Sequence, residues 1–165
     1  MVVRSLQIAI LSLFLAATQN CLADSSVRYL SFAVGRHSIL DHDIEDPGVL
    51  KIEYRFRPRW KWLLTPAVGA ARSQDGASFV FADLKKDFFP GDHWVITPSF
   101  GLGSFTTGED VKLGDSLEFR SGIEFAYQFK NDWRLGIQLF HLSNSGIGDT
   151  NPGIEVMFVS LSLPL

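Results

Sequence analysis

Along much of the chain, apolar and polar residues alternate with a period of two. From Leu117 to Phe129 the odd positions read Leu, Phe, Ser, Ile, Phe, Tyr, Phe, and the even ones Glu, Arg, Gly, Glu, Ala, Gln. Leu50 to Arg57 repeats the pattern, with Leu50, Ile52, Tyr54 and Phe56 opposing Lys51, Glu53, Arg55 and Arg57. Successive side chains of a strand point to opposite faces, so each segment predicts a strand with one greasy face and one charged face. Between turn signals there are eight such segments, at 27–38, 49–58, 62–73, 77–88, 93–105, 116–129, 132–144 and 153–164.

The connections alternate in length. They are short at Arg59-Trp60-Lys61, Pro90-Gly91-Asp92 and Lys130-Asn131-Asp132, and longer at 39–48, 106–115 and 145–152; the short 74–76 connection is the exception. Short periplasmic turns and longer external loops are the asymmetry of outer-membrane barrels, whose strand number is even. Trp60, Trp62, Trp94 and Trp133 fall at or just before the starts of strands three, five and seven. Indoles at one level make an interfacial girdle, because the ring is amphipathic. A soluble sandwich would explain the alternation but not this girdle. The expectation is therefore an all-β fold, an eight-stranded antiparallel transmembrane β-barrel. Its narrow lumen has room only for side chains, so Glu53, Arg55, Glu118, Arg120, Glu124, Arg134 and Gln138 are expected to form a packed polar network rather than a pore.

The N-terminus adds a compartment. Arg4, the apolar run Ile8 to Ala17 and Cys21-Leu22-Ala23 have the order of a secretory signal, and the run is shorter than the ~20 residues needed to span a bilayer. Residues 1–23 are thus read as a signal peptide and 24–165 as the barrel domain, located in a bacterial outer membrane. The single cysteine, Cys21, would leave with the signal, so no disulfide or cysteine metal ligand is expected in the mature chain. With a net charge of −3 and scattered basic residues, there is no electrostatic footprint for nucleic acid. The expected surroundings are outer-membrane lipids, and a homodimer stays open as an assembly.

Candidate chemistry lies at the C-terminal end. Strand seven carries Trp133, Leu135, Ile137 and Leu139 on its odd face, then His141 and Ser143; strand eight carries Glu155, then Met157, Val159, Leu161 and Leu163. If His141 opposes Glu155 in an antiparallel hairpin, all three polar side chains share one face. Directly opposed Cβ atoms are ~4.5–5.5 Å apart, so the three can meet. Ser143 would be the nucleophile, His141 the base and Glu155 the group that orients the imidazole, a set recognised by geometry rather than chain order. Asn144 and the backbone N–H of Gly146 are the candidate oxyanion donors. The bland alternative is a row of interfacial polar residues, but a carboxylate facing lipid is costly unless paired. Eight residues from Trp133 at ~3.4 Å each, tilted by ~40°, lift His141 roughly 20 Å, to the external interface. The ester lipid met there is chiefly the lipid A part of lipopolysaccharide.

At these residues the chain resembles the PagL family of lipid A 3-O-deacylases, whose signature is close to His-x-Ser-Asn followed by Asn-Pro-Gly-x-Glu. Here it reads His141-Leu-Ser143-Asn144-Ser-Gly146 and Asn151-Pro152-Gly153-Ile-Glu155, with fourteen positions from His to Glu. The specific match covers roughly fifteen residues, and the general pattern the whole chain. The resemblance implies hydrolysis of the 3-hydroxyacyl ester at position 3 of lipid A, by a His141, Ser143 and Glu155 triad with Asn144 and Gly146 serving the oxyanion, without metal or cofactor. One departure is the ending Leu163-Pro164-Leu165, where outer-membrane proteins usually finish on an aromatic residue.

His37, His42 and His93 lack metal-ligand spacing and are read as solvated rim, and the acidic stretch Asp41 to Asp46 as a solvated loop. Two rival functions share most of these features: a non-enzymatic barrel in adhesion or envelope structure, and an outer-membrane phospholipid esterase.

Overall fold

The computed structural model describes residues 27–37, 48–109, 111–148 and 150–165; the segment 1–23 with Cys21, His42 and the acidic stretch lie outside them. The strands are β1 (Tyr29–His37), β2 (Gly48–Arg55), β3 (Thr65–Ser73), β4 (Ser78–Lys85), β5 (Trp94–Thr106), β6 (Leu117–Gln128), β7 (Arg134–Ser143) and β8 (Ile154–Pro164). They pair antiparallel in chain order, and β8 closes on β1 to complete a barrel. All eight expected strands are present. The turn between β2 and β3 is longer than expected, because Trp60 and Leu63 adopt left-handed backbone that ends regular pairing; one isolated bridge, Arg59 to Leu64, continues it.

Burial follows the alternation. On β7, Leu135, Ile137 and Leu139 are exposed, while Arg134, Gln138 and Phe140 are buried. Phe32, Val34, Leu50, Ile52, Val80, Phe100, Phe125 and Val159 line the outside in the same way. Apolar outside and charged inside suits a bilayer, and closure satisfies the backbone groups an open sheet edge would leave bare in lipid. All four tryptophans are exposed, and Trp94 packs edge-on against Tyr127.

The interior has two layers. The lower one is ionic. Glu53 pairs with Arg55 at 2.7 Å, Lys85 at 3.3 Å, Lys51 at 3.4 Å and Arg120 at 3.9 Å; Arg55 also meets Glu124 at 2.6 Å, and Arg120 pairs with Asp83. Gln138 donates to Glu124 at 2.8 Å and accepts from Lys51. Ions removed from water need such multiple partners to offset their desolvation. The upper layer is apolar. Phe79, Phe81, Phe105, Phe140, Leu142, Ile154 and Val156 pack with Val111 and Leu113 of the β5–β6 connection, which folds into the external mouth. Asp75 holds that connection, accepting from the backbone N–H of Val111 at 3.1 Å, while its own carbonyl accepts from that of Glu109 at 3.1 Å. The short 74–76 turn thereby becomes a platform for the neighbouring loop.

Two interior expectations and one for the rim are corrected. Glu118 is buried outside the network: it lies beyond Arg120 toward the apolar layer, and its carboxylate makes no hydrogen bond among the described residues. Arg134 belongs to a separate group at the opposite end, paired with Asp87 at 2.6 Å and stacked over Tyr29. His37 is not solvated rim: it closes β1 on the inward parity of Tyr29, Ser31 and Ala33, and is buried. His93 is half-buried against Tyr127.

Candidate active site

The end of β7 alternates strictly: Phe140 in, His141 out, Leu142 in, Ser143 out, Asn144 in. The inward residues are anchored. The Arg120 guanidinium lies 3.4 Å from the centroid of the Phe140 ring, which occupies space that a side chain at Gly122 would overlap. Leu142 is buried in the apolar layer. Because the pleat is rigid, fixing Phe140 and Leu142 fixes the outward directions of His141 and Ser143.

His141 stands directly opposite Glu155 of β8, the register that parity predicts. Its Nδ1 lies 3.0 Å from Glu155 Oε1. The two side chains are 47% and 34% exposed, so the pair sits on the outer wall and not in the lumen. With Nδ1–H donated to the carboxylate, Nε2 carries the lone pair and is the nitrogen that can accept a proton. Ser143 follows two residues along the same face, roughly 7 Å along the strand by the ordinary rise. On the other flank, β6 places Ser121 opposite His141 and Phe119 opposite Ser143.

Asn144 and Gly146 are brought together, but they face each other. Gly146 N–H donates to Asn144 Oδ1 at 2.9 Å, and the Asn144 amide donates to the carbonyls of Leu113 at 3.0 Å and Thr150 at 2.7 Å. Asn144 is fully buried. In this conformation the side-chain and backbone donors expected to face an oxyanion are engaged within the loop. A tight turn follows, with Ser145 and Gly146 at φ 55° and 79° and Ile147 N–H returning to the Asn144 carbonyl at 3.1 Å.

Sequence reasoning assigned no role to Asn151, whose Oδ1 accepts the Asn144 backbone N–H at 3.0 Å. Its place in Asn151-Pro152-Gly153 was a signal that could have identified it. The Leu113 carbonyl carried no such signal, since a backbone acceptor in a loop leaves no mark in side-chain pattern. Among the described residues, no group of three or more histidine, cysteine or acidic side chains is placed to hold a metal ion.

Comparison with known proteins bears on the same stretch. The chain is 32% identical over 92 residues to the lipid A deacylase PagL of Pseudomonas aeruginosa, covering 53% of each protein. It is 26% identical over 114 residues to the lipid A deacylase PagL of Bordetella bronchiseptica, covering 63% of this chain and 64% of that one. The matches thus span about half to two thirds of these relatives. In fold, the chain is similar to the crystal structure of the outer membrane enzyme PagL, with a TM-score of 0.68 at 22% identity over 83% of this chain and 99% of that one. The family model for lipid A 3-O-deacylase (PagL) matches residues 48–164, from β2 to the end of β8, and the chain belongs to that family.

Proposed function

We propose that the protein is a lipid A 3-O-deacylase of the bacterial outer membrane, with Ser143 as nucleophile, His141 as general base and acid, and Glu155 orienting the imidazole. The observation that carries this reading is the 3.0 Å hydrogen bond between His141 and Glu155 on the outer wall, beside Ser143. A carboxylate–imidazole pair has little structural reason to face lipid, and a clear reason to do so if the substrate arrives by lateral diffusion.

In the first step, Ser143 Oγ bonds to the carbonyl carbon of the 3-O-acyl ester as its proton passes to His141 Nε2. Glu155 stabilises the resulting imidazolium. The tetrahedral intermediate collapses when the sugar oxygen leaves with the proton from His141. Water then attacks the acyl-enzyme, giving its proton to His141, which returns it to Ser143 as the fatty acid departs. Asn144 and Gly146 supply the oxyanion donors by exchanging one intraloop hydrogen bond for the substrate oxygen; catalytic hydrogen bonds commonly tighten only in the substrate complex.

The test is mass spectrometry of lipid A from bacteria expressing the chain. The expected result is loss of one 3-hydroxyacyl chain from position 3, abolished by Ser143→Ala while heat-modifiable gel mobility is retained. Unchanged lipid A with hydrolysed phospholipid would favour the phospholipid esterase, and no change in either would favour the non-enzymatic barrel.

A further inference from the structure

Gly153 precedes β8 and follows Pro152 in the Asn-Pro-Gly segment. One step beyond the pair Leu142 to Ile154, the register sets it opposite Ser143. A Cβ built on its α carbon would lie 3.0 Å from His141 Cε1 and 3.5 Å from Nε2, with the Leu142 carbonyl also at 3.5 Å. The imidazole edge that does not bind Glu155 therefore overlies the bare α carbon of this residue. That edge includes Nε2, the nitrogen that must reach Ser143.

We propose that Gly153 is a positioning residue for the reaction, its missing side chain forming the seat on which the His141 ring lies. The proposal rests on the triad reading. Two features confine the ring: Glu155 holds the Nδ1 side from β8, and the Gly153 backbone limits how far the other edge can approach the strand. A methyl group at 153 meets the ring at a separation tighter than most real Cβ contacts, so the imidazole must tilt away. Tilting about the Nδ1 hydrogen bond moves Nε2, because Nε2 lies across the ring from that fixed point. The ring must give by a few tenths of an ångström, and since about 1 Å can cost ~10²-fold in rate, the expected loss is roughly 3- to 10-fold.

Glycine at 153 is also favoured by its backbone, with φ at 67°. Strain and crowding can be told apart, because Gly76 has φ at 91° with nothing within 4 Å of a built Cβ. Gly76→Ala imposes backbone strain alone, in the β3–β4 turn and not on the strand ends that carry His141, Ser143 and Glu155. Gly153→Asn carries a Cβ but suits left-handed backbone better than alanine does.

The experiment compares full-length wild type, Gly153→Ala, Gly153→Asn and Gly76→Ala, refolded in detergent. The readouts are kcat and KM on purified lipid A, and the NMR resonance of the His141 Cε1–H. Both Gly153 variants are expected to keep heat-modifiable mobility, lose roughly 3- to 10-fold in kcat with KM within about twofold, and shift the His141 resonance. Gly76→Ala should leave the His141 resonance unmoved. A folded Gly153 variant with wild-type kcat or an unmoved His141 resonance would overturn the proposal, as would an equal shift of that resonance in Gly76→Ala. Failure of both Gly153 variants to fold would make the glycine a folding requirement and overturn it as well. If wild type shows no deacylase activity, the functional reading fails; the His141 resonance still decides whether Gly153 seats the ring.

Discussion

Glu53 and Glu155 are carboxylates on the same barrel with opposite fates. Glu53 faces inward, is fully buried and has four cations within 4 Å: Arg55, Lys85, Lys51 and Arg120. Glu155 faces outward with a side chain 34% exposed, and its hydrogen bond is to one imidazole. A carboxylate among four cations cannot answer to a single proton moving nearby, because its charge is already distributed over the network. One with an imidazole partner responds directly when that imidazole becomes charged. The comparison teaches that strand parity sorts identical chemistry into two settings, a shared ionic network inside and a single exposed imidazole pair outside, the one suited to cohesion and the other to the proposed reaction.

The sharpest way to break that division is to remove the outer groups. His141→Ala and Ser143→Ala should each reduce kcat by on the order of 10⁴-fold or more, and the double variant should be little worse than either, because the two act as a unit. Urea unfolding should move by no more than ~0.5 kcal/mol for Ser143→Ala, as for other partly exposed substitutions away from the core, and by up to about 1 kcal/mol for His141→Ala, which leaves Glu155 unpaired near the interface. Glu155→Gln follows with ~10²- to 10⁴-fold, since a carboxamide can hold the ring but neither fixes the tautomer nor stabilises the imidazolium. Initial rates on lipid A and unfolding curves in detergent check all three. A large loss of stability in any of them would mean that the outer pair is also a staple.

The inner counterpart is Glu53→Ala. Removing the shared anion leaves Lys51 without its carboxylate and takes one of two carboxylate partners from Arg55, Lys85 and Arg120, which keep Glu124 or Asp83; breaking a buried pair in this way costs about 3–5 kcal/mol. Equilibrium unfolding should report that loss, while kcat per folded molecule stays within about threefold of wild type. If kcat falls as far as in Glu155→Gln, the inner network controls the outer wall, and the two regions are not separable.

How much of this was legible depends on whether each strand had one greasy face. β2 and β7 alternate cleanly, so the inward Glu53, Arg55 and Gln138 and the outward His141 could be placed by counting, as could the His141–Glu155 pairing. β4 could not be read this way. Phe79 and Phe81 face inward and Val80, Ala82 and Leu84 outward, so both faces are apolar and the inward Asp83 and Lys85 had no contrast to mark them. Lys51 was legible, on the same face as Glu53, but was not carried into the network. The apolar layer depends on Val111 and Leu113, in a loop where two apolar residues around a lysine carry no period. For the same reason, the Leu113 carbonyl beneath Asn144 was beyond reach, and so was the engagement of both oxyanion candidates with the loop itself.

Asn144 lies on the border between the two regions, inward and fully buried yet next to Ser143 in the chain. Replacing it by alanine strands the Leu113 and Thr150 carbonyls and the Gly146 N–H, and unsatisfied buried groups of this kind cost about 1–3 kcal/mol in stability. Asn144→Asp keeps an acceptor for Gly146 but loses the amide donor. If the amide exchanges a loop carbonyl for the substrate oxyanion, both variants should lose ~10²-fold in kcat with KM nearly unchanged, because the bond forms only as charge develops. Thermal unfolding and a kcat against KM comparison separate the outcomes. A stability loss with kcat intact would put Asn144 with Glu53 on the cohesive side. A kcat loss in Asn144→Asp larger than its stability loss would carry the reactive side one residue past the parity boundary, with an inward side chain working for the outer wall.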